Sequence, residues 1–490
     1  MSFVFYDTET TGLKPGFDQI VHFAAIRTDW NLKEIDRFQV RSRLLPHVVP
    51  HPSALFTNGL PIARLLDDTL PAHYEMVRSI RRTLLSWSPS IFVGYNSIRF
   101  DEEMLRHALF QTLHDAYLTS KHGNCRADAL SLMMAATTLS PTCLAVPRNA
   151  QGRPTYRLEG LAAANGIAHG DAHDAMGDVE AMVELCRMVY DRSSEVWQRF
   201  VRFGKKATVV DFVESEDSFF LTEFYSNEAY HAPVTCIGPD PPNGRLCLRL
   251  DSDLDRLATM SEADLPAALC IKPSPIRRIR VNAAPTLTPL YDAPDLMLGG
   301  LTHETIEAAA RRVKEDQLFR QRLVAAYAAG RIERPQSLLV EEQLYSSFPG
   351  PSDEARMAAF HDASWPEALS IVQSFDDPRL RAFGSRLIYF GSRSSLPPEL
   401  RIEIERFLVD RLLEEAAGGL TLSQAILALD TVSLEGRPGM GPLLADYRDH
   451  LTDRLSRVTQ YRLHHLTASQ PASPTFAGTA RATVVSNEVT

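Results

Sequence analysis

Two carboxylates stand two positions apart near the start of the chain, Asp7 and Glu9 in FYDTETTG. Strand side chains alternate faces, so the two project together if the apolar run before them is a strand. Carboxylates that close repel one another unless something neutralises them. A hard cation such as Mg²⁺ does so, taking oxygen ligands and keeping several waters. Two further acids sit near expected helix starts: Asp101 in GYNSIRFD and Asp178 in AHDAMGD, where His173 precedes Asp178. Histidine titrates near neutrality, as a base that deprotonates water must. Each segment also has a plainer reading: solvated acids at a strand end, Asp101 as a helix N-cap, or a capping Asp174 beside a surface histidine. Together, four carboxylates and a histidine in this order are the equipment of two-metal phosphodiester hydrolysis. Paired ions clamp the attacking and leaving oxygens, and the histidine activates the water.

These residues need a scaffold. Ser2–Tyr6, Gln19–Thr28 and Ser90–Val93 read as strands, the last ending at Gly94. Tyr74–Leu85, Asp101–Leu113, Asp128–Thr138 and Asp174–Tyr190 have helical periodicity. Residues 1–195 are therefore expected to form an α/β domain, with the acids at the strand ends where open α/β sheets bind ligands. Beyond residue 200 the segments ATVVDFVE, FFLTEFY, APVTCIG and RLCLRLD are short, β-rich and separated by turns such as PDPPNG. They predict a small antiparallel barrel or sandwich within residues 196–345, followed by connecting helices. Residues 346–466 read as a helical domain, and the Ser/Thr/Ala/Pro-rich residues 467–490 as a disordered tail.

Composition agrees. At 490 residues the chain is long enough for roughly three domains. Its 44% hydrophobic and 23% charged content excludes wholesale disorder and coiled-coil rods. No apolar run reaches the ~18 residues of a membrane span, and the opening residues lack the basic region of a secretory signal. Six scattered cysteines without CxxC spacing argue against a zinc site or disulfide framework and for a reducing cytoplasm. The net charge of −10 is unlike that of a non-specific nucleic-acid binder, yet a local basic groove can sit on an acidic body.

FYDTETTG, NSIRFD and AHDAMGD resemble the three motifs of the DEDDh 3′–5′ exonucleases, a superfamily that includes proofreading subunits, oligoribonuclease and ribonuclease T. The flanking segments HFAAIRTD (22–29), GYNSIRFDEEML (94–105) and YRLEGLAAANGIAHGDAHDAMGDVEA (156–181) narrow this to the bacterial exodeoxyribonuclease I family. So do EEQLYSSF (341–348) and DDPRLRAFGSRLIYF (376–390), far outside the nuclease motifs. The resemblance spans residues 3–460. It implies a ribonuclease H-like nuclease domain, a small SH3-like β-domain and an α-helical C-terminal domain. It further implies that Asp7, Glu9, Asp101 and Asp178 hold two Mg²⁺ ions, with Mn²⁺ able to substitute, and that His173 is the general base. Arg157 would contact substrate, and Glu9, Thr10, Thr11 and Gly12 the terminal nucleotide. Thr10-Thr11 departs from the pair found in a familiar relative, and the C-terminal tail is extra.

The implied activity is processive 3′–5′ degradation of single-stranded DNA to 5′-mononucleotides in DNA repair or recombination; the cysteine pattern places it in the cytoplasm, and a monomer is the default expectation. Lys205, Lys206, Lys272, Arg277, Arg278 and Arg280 are candidate phosphate contacts. Arg278 and Arg280 would share one strand face with Arg277 opposite, and the alternative is a charged, solvated edge strand. Tyr225 and Phe224 either stack bases or belong to the core. The implied partner is the acidic-apolar C-terminal tail of single-stranded DNA-binding protein, with Arg379, Arg381, Arg386 and Arg393 as candidates for a basic pocket. Two other readings stay open: an exoribonuclease trimming RNA ends, and an inactive nucleic-acid-binding scaffold.

Overall fold

The computed structural model describes residues 2–168, 174–331, 335–432 and 440–466. His173 and the tail from residue 467 lie outside the described residues.

The first domain is built on a five-stranded mixed sheet of order β3-β2-β1-β4-β5. Its strands are β1 (Ser2–Thr10), β2 (Ile20–Thr28), β3 (Glu34–Arg41), β4 (Ser90–Gly94) and β5 (Cys125–Asp128). β1 runs antiparallel to β2 and parallel to β4. Alternation along β1 decides where the acids point. Phe3 and Phe5 face one helical layer with Val179 and Met182 of the Ala175–Arg192 helix. Asp7 and Glu9 continue that face. Val4 and Tyr6 face the opposite layer, with Met104 and Leu105 of the Asp101–Gln111 helix. Phe3 and Phe5 are fully buried, each worth about 1.5–3 kcal/mol. A one-residue slip would turn both into the wrong layer along with the acids, so core packing fixes the register of the site.

Strand β1 is longer than the sequence suggested: it passes Tyr6 and carries Asp7 and Glu9 within it. β3 and β5 were not foreseen. β3 is largely exposed and charged, and β5 spans only Cys125–Asp128, so neither shows a clear apolar period. ATVVDFVE is not a strand but most of the Lys206–Ser215 helix. Its β-branched residues favour a strand locally, but Val209, Phe212 and Val213 fall on one helical face and pack with Phe203 and Phe219.

The second sheet is antiparallel, order β10-β6-β7-β8-β9, with β6 (Phe219–Tyr225), β7 (Glu228–Asp240), β8 (Gly244–Arg249), β9 (Ile276–Arg280) and β10 (Thr286–Pro289). In place of a pair of stacked sheets, the five strands form one sheet with an apolar cluster on each face. Phe220, Leu246 and Leu248 pack with Val313 and Leu323 of the His303–Glu315 and Gln317–Ala329 helices. Phe219, Val234 and Ile279 pack with the Lys206–Ser215 helix. The helical run over residues 303–330 divides at Asp316, which accepts from Phe319 N at 2.9 Å and caps the second helix.

Beyond residue 350, helices Pro351–Asp362, Trp365–Ser374, Pro378–Gly391 and Pro398–Leu413 share one core with the nuclease domain: Phe110 and Leu113 pack with Phe360, Phe375 and Phe383. All six cysteines are free. No described helix is long and apolar enough to cross a membrane.

Candidate active site

Asp7 and Glu9 on β1 and Asp178 on the Ala175–Arg192 helix each offer an oxygen, and these lie within 4.8 Å of one another. Asp101 is the first residue of its helix; the capping position belongs to Phe100. Its carboxylate instead accepts from Thr8 Oγ1 at 2.5 Å. The acid that does cap is Asp128, accepting from Leu130 N at 3.0 Å and from Asn96 N at 2.9 Å. Glu102, next to Asp101, is buried in a network of charge. It receives Arg106 Nε at 2.7 Å, Arg126 Nη1 at 3.1 Å and Thr119 Oγ1 at 2.6 Å, and these partners hold its pKa below the usual range. That network anchors the helix that presents Asp101.

Burial acts on Asp7, Glu9 and Asp101, and repulsion between the acids adds to it at Asp7 and Glu9. Burial, with Asp101, Asp178 and Glu9 nearby, pushes Asp7 well above the ordinary carboxylate range. Glu9 rises to about 8, from burial first and then Asp178, Asp101 and Asp174, with Arg41 opposing. Asp101 rises to about 7 through burial, which the Thr8 hydrogen bond offsets only partly. The protein alone does not neutralise this cluster. A divalent cation held by Asp7, Glu9 and Asp178 would do so, and an all-oxygen donor set suits a hard one.

Residues given no role at the site by the sequence reading support the cluster. Glu9 pairs with His22 across β1–β2, and His22 with Arg41 across β2–β3. Arg41 Nη2 donates to Asp174 Oδ1 at 2.7 Å, and His22 Nδ1 lies 3.6 Å from the same oxygen. Asp174 holds the N-cap position of the Ala175–Arg192 helix yet makes no side-chain cap; it ties the helix start to the sheet edge. Burial and Arg41 lower His22 to about 4, so it is neutral near pH 7. The only local hint was the arginine ending an alternating charged stretch.

The remaining candidates divide. Arg157 is exposed at the N-cap position of the Leu158–Ala164 helix. Thr10 Oγ1 donates to Gly12 O at 2.8 Å. Thr11, 1% exposed, donates to Asp18 Oδ1 at 2.9 Å and accepts from Gln19 N at 2.9 Å. These hydroxyls build the turn after Glu9. A Cβ at Gly12 would stand 2.6 Å from the Asp18 carboxylate, which explains the glycine. In the β-domain, Arg277 Nε pairs with Glu223 at 3.2 Å, and Arg278 pairs with Asp240, which Arg331 Nη2 also meets at 2.5 Å. Lys206 Nζ donates to Asn243 at 2.8 Å. Lys205, Lys272 and Arg280 are exposed. Phe224 packs on the nuclease core, whereas Tyr225 is exposed beside Tyr230, edge to face at 5.7 Å. Arg379 is 3% exposed and bonded to Asp377, Gln343 O and Ser347, so its guanidinium already has protein partners. Arg381 donates to Phe375 O, Arg386 to Glu341, and Arg393 pairs with Glu405.

A mixed sheet flanked by helices, with carboxylates brought together from a central strand and two helix starts, is the framework of this site. Residues 4–186 match the exonuclease family model. The chain is 27% identical to exodeoxyribonuclease I of Escherichia coli K12 over 403 residues, 77% of this chain and 83% of that protein. Exonuclease I of E. coli in complex with a dA16 oligonucleotide has the same fold, with a TM-score of 0.80 at 21% identity over 93% of this chain and 99% of the other. A solved SSB/exonuclease I structure with the inhibitor CFAM aligns with a TM-score of 0.78 at 21% identity, over 92% and 99%. The similarity to sequences of exodeoxyribonuclease I extends over 77–78% of the chain.

Proposed function

We propose that this protein is a 3′–5′ exonuclease that degrades single-stranded DNA to 5′-mononucleotides. The convergence of Asp7, Glu9 and Asp178, with Asp101 held beside them by Thr8, carries this reading. Mg²⁺ bound by these four acids would supply charge stabilisation for the attacking and leaving oxygens. The chain's own residues do the rest. Thr8 and the Glu102 network orient Asp101, the Arg41–Asp174 pair fixes the start of the helix bearing Asp178, and His173 takes the proton from the attacking water. Arg157 presents a guanidinium fork to a phosphate.

Processive action on a single strand follows from enclosure by several domains. Two contacts support it: Asn227 at the β6–β7 turn donates to Pro154 O of the nuclease domain at 3.1 Å, and the helical domain packs on Phe110. The β-sheet is read as SH3-like, with domain limits of 1–195, 196–345 and 346–466. Single-stranded DNA and the tail of single-stranded DNA-binding protein are the partners, and the setting is DNA repair in the cytoplasm, as a monomer. Similarity reaching far beyond residue 186 favours this over a ribonuclease, and the intact set of acids disfavours an inactive scaffold. The test is to offer 5′-labelled DNA and RNA of one sequence, single- and double-stranded, with Mg²⁺ or EDTA. Rapid, Mg²⁺-dependent loss of the DNA single strand alone is expected; preferential trimming of RNA would overturn the substrate.

A further inference from the structure

A closed-in cavity of about 310 Å³ lies between the nuclease domain and the helical domain, behind the turn that follows Glu9. That volume is near the lower bound for small-molecule sites and suits a ligand of mononucleotide size. Its walls leave polar groups without partners. Arg411 is 4% exposed; Nη1 donates to Ala417 O, but Nε finds no acceptor and no carboxylate stands at ion-pair distance among the described residues. Burial lowers its pKa to about 10, and the nearby charges of Glu341 and Asp18 offset this only partly. The other charges in the wall are spoken for. Arg386 holds Glu341 at 2.8 Å, and Asp18 accepts from Thr11 and from Lys14 N.

Two histidines add to this. His73 is hydrogen-bonded to the Ile20 backbone, leaving its buried Nδ1 unpartnered. His47 also has a buried, unpartnered Nδ1, and its ring stacks on Phe390 at 5.6 Å and 7°. A buried unpaired donor or acceptor costs stability unless a ligand or water satisfies it. A cation, two ring nitrogens and flat aromatic walls together call for an anion attached to a flat, polar-edged ring.

We propose that this cavity is a second, non-catalytic site for a nucleoside 5′-monophosphate, with its phosphate at Arg411 and its base against the aromatic wall. That the ligand is the enzyme's own product rests on the function proposed above; the ligand chemistry does not. Asp18 lines the cavity and bonds Thr11 of the turn after Glu9, so occupancy bears directly on the strand end that carries the metal acids.

The experiment is calorimetric titration of the full-length protein with dAMP in EDTA, which removes metal from the catalytic acids and requires no turnover. Inorganic phosphate and deoxyadenosine are the comparison probes. Saturable dAMP binding, weakened about tenfold or more by Arg411→Met, is expected. Trp365 lines the cavity, so its fluorescence should change with dAMP in the wild type and the change should vanish in Trp365→Phe. Should Arg411→Met fail to fold, Leu387→Trp fills the cavity from its apolar wall and should abolish binding. Absence of saturable dAMP binding, affinity unchanged in the folded variants, or phosphate binding as tightly as dAMP would each overturn the proposal.

Discussion

Thr8 and Asp101, 93 positions apart in the chain, meet at 2.5 Å with the threonine hydroxyl donating to the carboxylate. Thr8 lies on the β1 face opposite to Asp7 and Glu9, so one strand presents two acids on one side and orients a third from the other. Hydrogen bonds to ligating carboxylates typically matter 10–100-fold, roughly, in metal affinity. Thr8→Val should therefore raise the Mg²⁺ concentration for half-maximal nuclease activity by about that factor while leaving DNA affinity in EDTA unchanged. An unaltered Mg²⁺ dependence would show that Asp101 needs no such support.

His173→Ala should slow hydrolysis by about 10²–10⁴, the range for a positioned general base, with DNA binding retained. Single-turnover rates and a binding isotherm on the same preparation check both halves. A variant with a full rate would assign the proton transfer elsewhere.

Stability against pH gives a third test. Glu9 has an ordinary value of 4.5 and rises to about 8 in the folded protein, and Asp7 and Asp101 are raised as well. A carboxyl group raised on folding binds more protons in the native than in the unfolded state, so its contribution to stability falls as pH climbs through that window. In EDTA the melting temperature should drop between about pH 6.5 and pH 8, above the range in which buried histidines such as His22 and His73 gain stability by staying neutral, by an amount on the order of a few kcal/mol in stability. Mg²⁺ should reverse most of the drop. A melting temperature flat across this range without metal would mean the acids are not crowded in solution.

The basic residues of the β-domain separate into two groups. Lys272 and Arg280 are exposed, whereas Arg277 and Arg278 are each paired with a carboxylate. Lys272→Gln with Arg280→Gln should weaken DNA binding and flatten its log–log salt slope by about 0.7 per lost contact. Arg278→Gln should instead lower stability by about 1–3 kcal/mol, because Asp240 is buried and keeps only Arg331. An unchanged salt slope in the double variant would make this an ordinary charged edge strand.

Much of the site was legible in the sequence because its chemistry is local. Asp7 and Glu9 declare their shared face by spacing, and Asp178 its helix by the apolar period after it. What was hidden depends on pairing between distant segments. Nothing near Arg41 says that it lies two strands across from Glu9, and nothing near Thr8 says that it touches Asp101. Likewise Val209 and Val213 favour a strand until the helical face they share with Phe212 meets Phe203 and Phe219. Nothing beside Thr11 shows that its hydroxyl donates to Asp18 and accepts from Gln19 N.

The most direct test is release of 5′-mononucleotides from single-stranded DNA by the wild type and by Asp178→Ala, with folding checked by circular dichroism. Asp178 joins Asp7 and Glu9 from a separate element, so removing it breaks the cluster and leaves the β1 acids in place. The wild type should release mononucleotides only with a divalent cation, and the folded variant should release essentially none. Wild-type-like turnover by Asp178→Ala would contradict the assignment of the active site.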